Sequence, residues 1–125
     1  MATASKAARW TGWVVTALPV LMLLFSGGVK FTRIPEVLKA NTDLGIPESR
    51  IVAIGIVELA CVLVYLVPRT AVLGAVLLTG YLGGATAIHV RSETPFVFPI
   101  ILGVLVWLGL FLREPRLRAL LPLRR

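Results

Sequence analysis

The stretch Ile51-Val-Ala-Ile-Gly-Ile-Val-Glu-Leu-Ala-Cys-Val-Leu-Val-Tyr-Leu-Val67 is apolar apart from a single carboxylic acid, Glu58. A run of this length approaches the ~20 residues a helix needs to cross ~30 Å of hydrocarbon. A carboxylate deep in such a run costs a few kcal/mol or more unless it is neutralised or paired. Glu58 is the one acid deep inside an apolar run of this chain. The fold must therefore supply a partner for it.

The rest of the chain resembles this stretch. Of the 125 residues, 58% are hydrophobic and only 15% charged, with a mean hydropathy of +0.91. A soluble domain has ~45–50% and ~25%. These values predict an all-α integral membrane protein, a four-helix bundle forming one transmembrane domain over residues 1–125. The spans fall at Trp13–Val29, Ile51–Val67, Ala71–Val90 and Phe96–Leu112. Pro68-Arg69-Thr70 and Arg91–Pro95 are so short that the helices they join must be antiparallel neighbours. Pro47-Glu48 suits a first helical turn, Thr70 and Thr94 suit N-caps, and Glu114-Pro115 stops the fourth helix. Pro19 and Pro99 each remove a backbone donor, which predicts kinks. Lys6 and Arg9 precede the first run like the start of a signal peptide, but its length and Pro19 favour a retained anchor.

The net charge of +7 comes from basic residues flanking the apolar runs. There they act as topology signals and lipid-headgroup contacts, so nucleic-acid binding is not expected. With both termini inside, the inner side carries Lys6, Arg9, Arg69, Arg113, Arg116, Arg118, Arg124 and Arg125. The outer side carries Lys30, Arg33, Lys39, Arg50 and Arg91, which favours the N-in, C-in orientation. In the long outer loop, Pro35-Glu36 starts a helical turn and Ile34, Val37, Leu38 and Asn41 share a face, predicting a short amphipathic helix on the membrane surface. The tail, residues 113–125, alternates basic and apolar residues and reads as an interfacial anchor, with docking of a partner as the alternative.

Span alternation brings Lys30, Glu58, His89 and Arg91 into the same half of the membrane, and Tyr81 shares the helix face of His89 by eight-residue spacing. Glu58 can accept a hydrogen bond from His89 or Tyr81, or pair with Lys30. One outcome is a buried network that only fixes helix register. The other is a polar pocket for a quinone head group or a proton-coupled ligand. No metal site is expected from one histidine, one deep acid and one cysteine. The lone Cys61 excludes an intrachain disulfide and dithiol exchange by this chain alone. Gly74, Gly80, Gly83 and Gly84 crowd the third span, where small residues let backbones approach closely. Packing within the bundle is the favoured use, and a homo-oligomer contact the alternative.

Ser26-Gly-Gly-Val-Lys30, Gly55-Ile-Val-Glu-Leu-Ala60, Val67-Pro-Arg-Thr70, Leu78-Thr-Gly-Tyr-Leu-Gly-Gly-Ala-Thr-Ala-Ile-His-Val-Arg91 and Val106-Trp-Leu-Gly109 together resemble the DoxX-like family of small bacterial membrane proteins. The resemblance implies a multi-pass four-helix bundle in the bacterial inner membrane. It also implies that Lys30, Glu58, His89 and Arg91 are the family's polar positions. The family takes its name from a small subunit of a thiosulfate:quinone oxidoreductase. By that link the chain is expected to be an accessory subunit of a membrane redox module, binding a quinone or other amphipathic ligand, with no intrinsic cofactor and with a redox partner protein supplying the electron-carrying centre. The alternatives are a membrane scaffold or assembly factor with a purely structural network, and a small proton-coupled carrier.

Overall fold

In the computed structural model, residues 5–124 are described. They form helices and connections, with no strand among them. The helices are α1 (Lys6–Val29), α2 (Pro35–Asp43), α3 (Glu48–Leu66), α4 (Ala71–Arg91), α5 (Val97–Arg113) and a final turn, α6 (Pro115–Arg118). Arg125, the last residue of the predicted anchoring tail, lies outside the described residues, as do residues 1–4.

Side chains at the helix ends explain where the helices start and stop. Ser5 caps α1, its hydroxyl accepting from the Ala8 amide at 3.1 Å. α1 then runs unbroken through Pro19, which cannot donate to the carbonyl four residues back. Pro99 sits in the first turn of α5, where a missing amide hydrogen leaves no intrahelical bond unmade. Thr70 and Thr94 depart from their predicted roles. Thr70 does sit at the N-cap position of α4, but its side chain makes no cap hydrogen bond, and the N-cap of α5 is Phe96 rather than Thr94. The Thr70 hydroxyl donates to the Val64 carbonyl at 2.8 Å and the Thr94 hydroxyl to the His89 carbonyl at 3.2 Å. Each closes the helix before it, because a carbonyl orphaned at a helix end is within reach and needs a donor.

α1, α3, α4 and α5 pack in a ring, each against the next, with α5 returning to α1. The core runs up the middle: Val20 and Leu23 of α1, Val62 and Tyr65 of α3, Ala75 and Leu78 of α4, and Leu102, Val106 and Leu110 of α5. Close approach is achieved by glycine at several crossings. A Cβ on Gly12 would lie 2.9 Å from the Gly109 carbonyl oxygen across the α1–α5 contact. A Cβ on Gly74 would run into the backbone of Tyr65. The outer faces are the reverse of a soluble protein's. Phe25 is 72% exposed and Leu63 62%, amid many other large apolar side chains. Such an extensive apolar exterior marks contact with lipid. α1, α3 and the segment Pro68–Arg91 are each long and apolar enough to cross a membrane, and α5 is a shorter apolar helix of 17 residues.

α2 is the amphipathic element of the first loop. Pro35 occupies its first turn, Val37, Leu38 and Asn41 are half-buried, and it packs on α3. Gly45, at φ +88°, turns the chain from α2 toward α3 in a conformation that side chains with a Cβ rarely adopt. The carbonyl of Leu44 accepts from the Ser92 hydroxyl at 3.1 Å, which ties this loop to the end of α4. At the opposite end of the bundle the tail folds back. Leu117 enters the core, and the Arg118 guanidinium donates to the carbonyls of Phe111 and Leu112, the orphaned end of α5.

Candidate functional site

Glu58 lies ten residues into α3, ~15 Å along the helix at 1.5 Å per residue. Only 1% of it is exposed. Its partner comes from α1. Lys30, the residue that ends that helix, folds its side chain inward, and its Nζ donates to Glu58 Oε1 at 2.9 Å. The same ammonium donates to the Ser26 hydroxyl at 2.8 Å and to the Ser26 carbonyl at 3.2 Å. Spacing explains this: Ser26 and Lys30 are one turn apart, so a lysine bent back along α1 reaches both the serine and the carboxylate beyond it. From α4, the Tyr81 hydroxyl donates to the same Oε1 at 2.8 Å, and the Ser26 hydroxyl adds a longer contact at 3.4 Å. Three helices thus converge on one carboxylate oxygen. The gain from a charge-assisted pair with further hydrogen bonds offsets the cost of removing the charge from water.

His89 is not a partner of Glu58. Eight residues separate it from Tyr81, so it lies ~12 Å farther along α4. Its Nδ1 donates to the Ala85 carbonyl at 2.6 Å, one turn back on the same helix. A local carbonyl on the same face is reached with less loss of side-chain freedom than a carboxylate two turns away. Arg91 is also outside the cluster. It is exposed and its guanidinium lies beside Gly45 at the loop. Ser26 is the member that sequence reasoning missed. Its four-residue spacing from Lys30 was the available signal.

A cavity of about 710 Å³ opens against this cluster, within the size range typical of ligand sites. Ser26, Lys30, Glu58, Tyr81 and His89 contribute its polar wall. Met22, Phe25, Phe98 and Leu102 are among its apolar lining, and α2 contributes Glu36, Val37 and Asn41. Gly80 and Gly84 also line it, while Gly83 faces a second, apolar groove between α4 and α5. A Cβ on any of these three glycines would meet no atom within 4 Å. Their expected part in packing the bundle is therefore not played within this chain. The 80–84 face of α4 looks onto open space, and Gly74 makes the close contact.

A second polar cluster, not foreseen from the sequence, sits at the other end of the bundle. The Tyr65 hydroxyl donates to the Val106 carbonyl at 2.6 Å and lies 3.5 Å from the Thr16 hydroxyl. Arg113 donates through Nε to Thr16 at 3.2 Å and stacks over Trp13 at 4.1 Å. Among the described residues no acid pairs with it, and aromatic faces and the negative end of α5 hold the cation. Among the described residues no group of three or more histidine, cysteine or acidic side chains could hold a metal ion.

An all-helical bundle with a lipid-type exterior and one buried, paired carboxylate is a membrane protein. A family model described as the DoxX-like family matches residues 14–109, which include every member of the Glu58 cluster. The chain belongs to that family. No match is found among curated proteins or among solved structures.

Proposed function

We propose that this protein binds an amphipathic ligand, with a quinone-type head group as the first candidate, in the cavity beside Glu58. In this reading it serves as an accessory subunit of a membrane redox module. The observation that carries this is a buried Lys30–Glu58 pair whose carboxylate also lines a largely apolar cavity. A polar head group fits the Glu58 wall and an apolar tail fits the lining from Met22 to Leu102. In this reading a partner protein supplies the redox centre. The chain threads the bacterial inner membrane as a multi-pass protein with both termini inside, a placement supported by the basic residues near the termini and at Arg69.

One observation favours a second reading. The Lys30 ammonium already balances the Glu58 charge, and a balanced pair can fix helix register in a scaffold without any ligand. Mass spectrometry on protein purified in mild detergent, with Glu58→Gln beside wild type, separates the two. A stoichiometric amphiphile present in wild type, and lost or exchanged for one with a different head group in the variant, is the expected result. A partner protein retained in both forms, with no specific small molecule in either, refutes the ligand reading in favour of the scaffold.

A further inference from the structure

The hydrogen bonds around Glu58 are lopsided. Among the described residues, every bond the carboxylate accepts falls on Oε1: from Lys30, from Tyr81 and, at greater length, from Ser26. Oε2 accepts none, although Glu58 lines the cavity. Meanwhile the donors at this wall are already engaged. Lys30 has three N–H bonds and three acceptors: Ser26 O, Ser26 Oγ and Glu58 Oε1. The one O–H of Tyr81 goes to Glu58. The Ser26 hydroxyl accepts from Lys30 and points its own hydrogen at Oε1. His89 gives its Nδ1 hydrogen to Ala85, which leaves Nε2 as its one unengaged ring nitrogen, a lone pair in the neutral form. Asn41, on the α2 wall, donates one amide hydrogen to the Val37 carbonyl. It keeps another donor and an acceptor, so it discriminates little.

At the Glu58 wall the unmet capacity is therefore acceptor capacity. From this polarity we infer that the cavity selects a head group that donates hydrogen bonds, a neutral phenolic or alcoholic hydroxyl, over one that only accepts them, such as a quinone carbonyl or an ether. This rests on the reading of the cavity as an amphiphile site and states which chemical form of the amphiphile it holds. A carbonyl oxygen brought to Oε2 would face a lone pair and lose the water it gave up, whereas a hydroxyl gains a charge-assisted bond there. A cationic head group fits less well. The Glu58 carboxylate is already neutralised by Lys30, so a cation at this wall has no counter-charge there, and Glu36 on the α2 wall is exposed, where water screens its charge. For a redox-active ligand pair, the reduced, hydroxyl-bearing member is the one that binds.

The test uses one apolar tail and four heads. The full chain in mild detergent is titrated anaerobically by calorimetry with decylhydroquinone, decylquinone, the dimethyl ether of the hydroquinone and decylammonium. The hydroquinone should bind at least about tenfold tighter than the quinone and the ether, as expected for one added hydrogen bond to a charged acceptor. Equal or tighter binding of the quinone or the ether overturns the donor inference while leaving the amphiphile site standing, and equal or tighter binding of the ammonium overturns the preference for a neutral head group. No saturable binding of any of the four removes the site itself, and the inference with it. Glu58→Gln adds a second check. Its amide can keep an oxygen toward Lys30 and Tyr81 and place its NH2 at the open position, so the preference should reverse toward the quinone. If the folded variant keeps the wild-type order, the assignment to Oε2 is wrong. The wild-type titrations decide the matter should the variant not fold.

Discussion

Removing the ammonium from the Glu58 pair while keeping a stem of the same length, as in Lys30→Met, leaves a 1%-exposed carboxylate without its counter-charge. At the observed 2.9 Å separation, the Coulomb attraction at an effective dielectric of ~20 is about 6 kcal/mol. Part of this is offset in the folded protein by desolvation of both groups. Breaking a buried pair from one side costs ~3–5 kcal/mol, because the survivor keeps its desolvation and loses its partner. Tyr81 and Ser26 still donate to Oε1 in the variant, which places the expected loss toward the lower end of that range. At ~4–8 °C per kcal/mol for a small domain, the unfolding midpoint in detergent should fall by ~10 °C or more. Intrinsic tryptophan fluorescence would follow it, since Trp13 packs against Arg113 at the far end of the bundle. The double variant Lys30→Met/Glu58→Gln should recover much of the loss, because a neutral amide can still accept from Tyr81 and needs no counter-charge. A single variant within ~2 °C of wild type, or a double variant no better than the single, would refute the claim that the pair carries a buried charge.

Two further outcomes follow from the same geometry. Gly74→Ala should destabilise the bundle by ~1–3 kcal/mol, because its Cβ would meet the Tyr65 backbone, whereas Gly84→Ala, inside α4 with no atom within 4 Å, should stabilise it by up to ~1 kcal/mol through the better helix propensity of alanine. Thermal unfolding of the two in parallel checks this, and equal effects would contradict it. Tyr81→Phe deletes the 2.8 Å donor to Oε1 and should cost ~1.5–3 kcal/mol, the range for a hydrogen bond to a charged group. Denaturation of the variant beside wild type measures it, and a loss below ~0.5 kcal/mol would show that the bond is not made.

The need for a partner to Glu58 was legible because a charge in an apolar run cannot be left alone, and Lys30 was a cation at the correct end of a neighbouring span. Tyr81 was legible from helical spacing to His89. The environment of His89 was not. Sequence placed it in the right half of the bundle, but its nearest acceptor is the Ala85 carbonyl, and backbone acceptors leave no mark in a pattern of side chains. The glycines of α4 show a broader limit. In lipid, the buried and outer faces of a helix are both apolar, so periodicity does not say which face meets a neighbour. Gly74 and Gly84 look alike in sequence, yet a Cβ on one would run into Tyr65 and a Cβ on the other would meet no atom within 4 Å. The Thr16–Tyr65–Arg113 cluster was hidden for a related reason. It joins residues far apart in the chain, each unremarkable in its own segment.

Cys61 follows Glu58 on α3 by less than one turn and is buried in the core. As the chain's only thiol, it gives any thiol-reactive dye a single address. Labelling is then a clock for separation of the helices: slow while α3 stays packed, fast once the bundle opens. A ligand that tightens the packing around Glu58 would lengthen that clock, and the natural sequence can report this without an engineered probe.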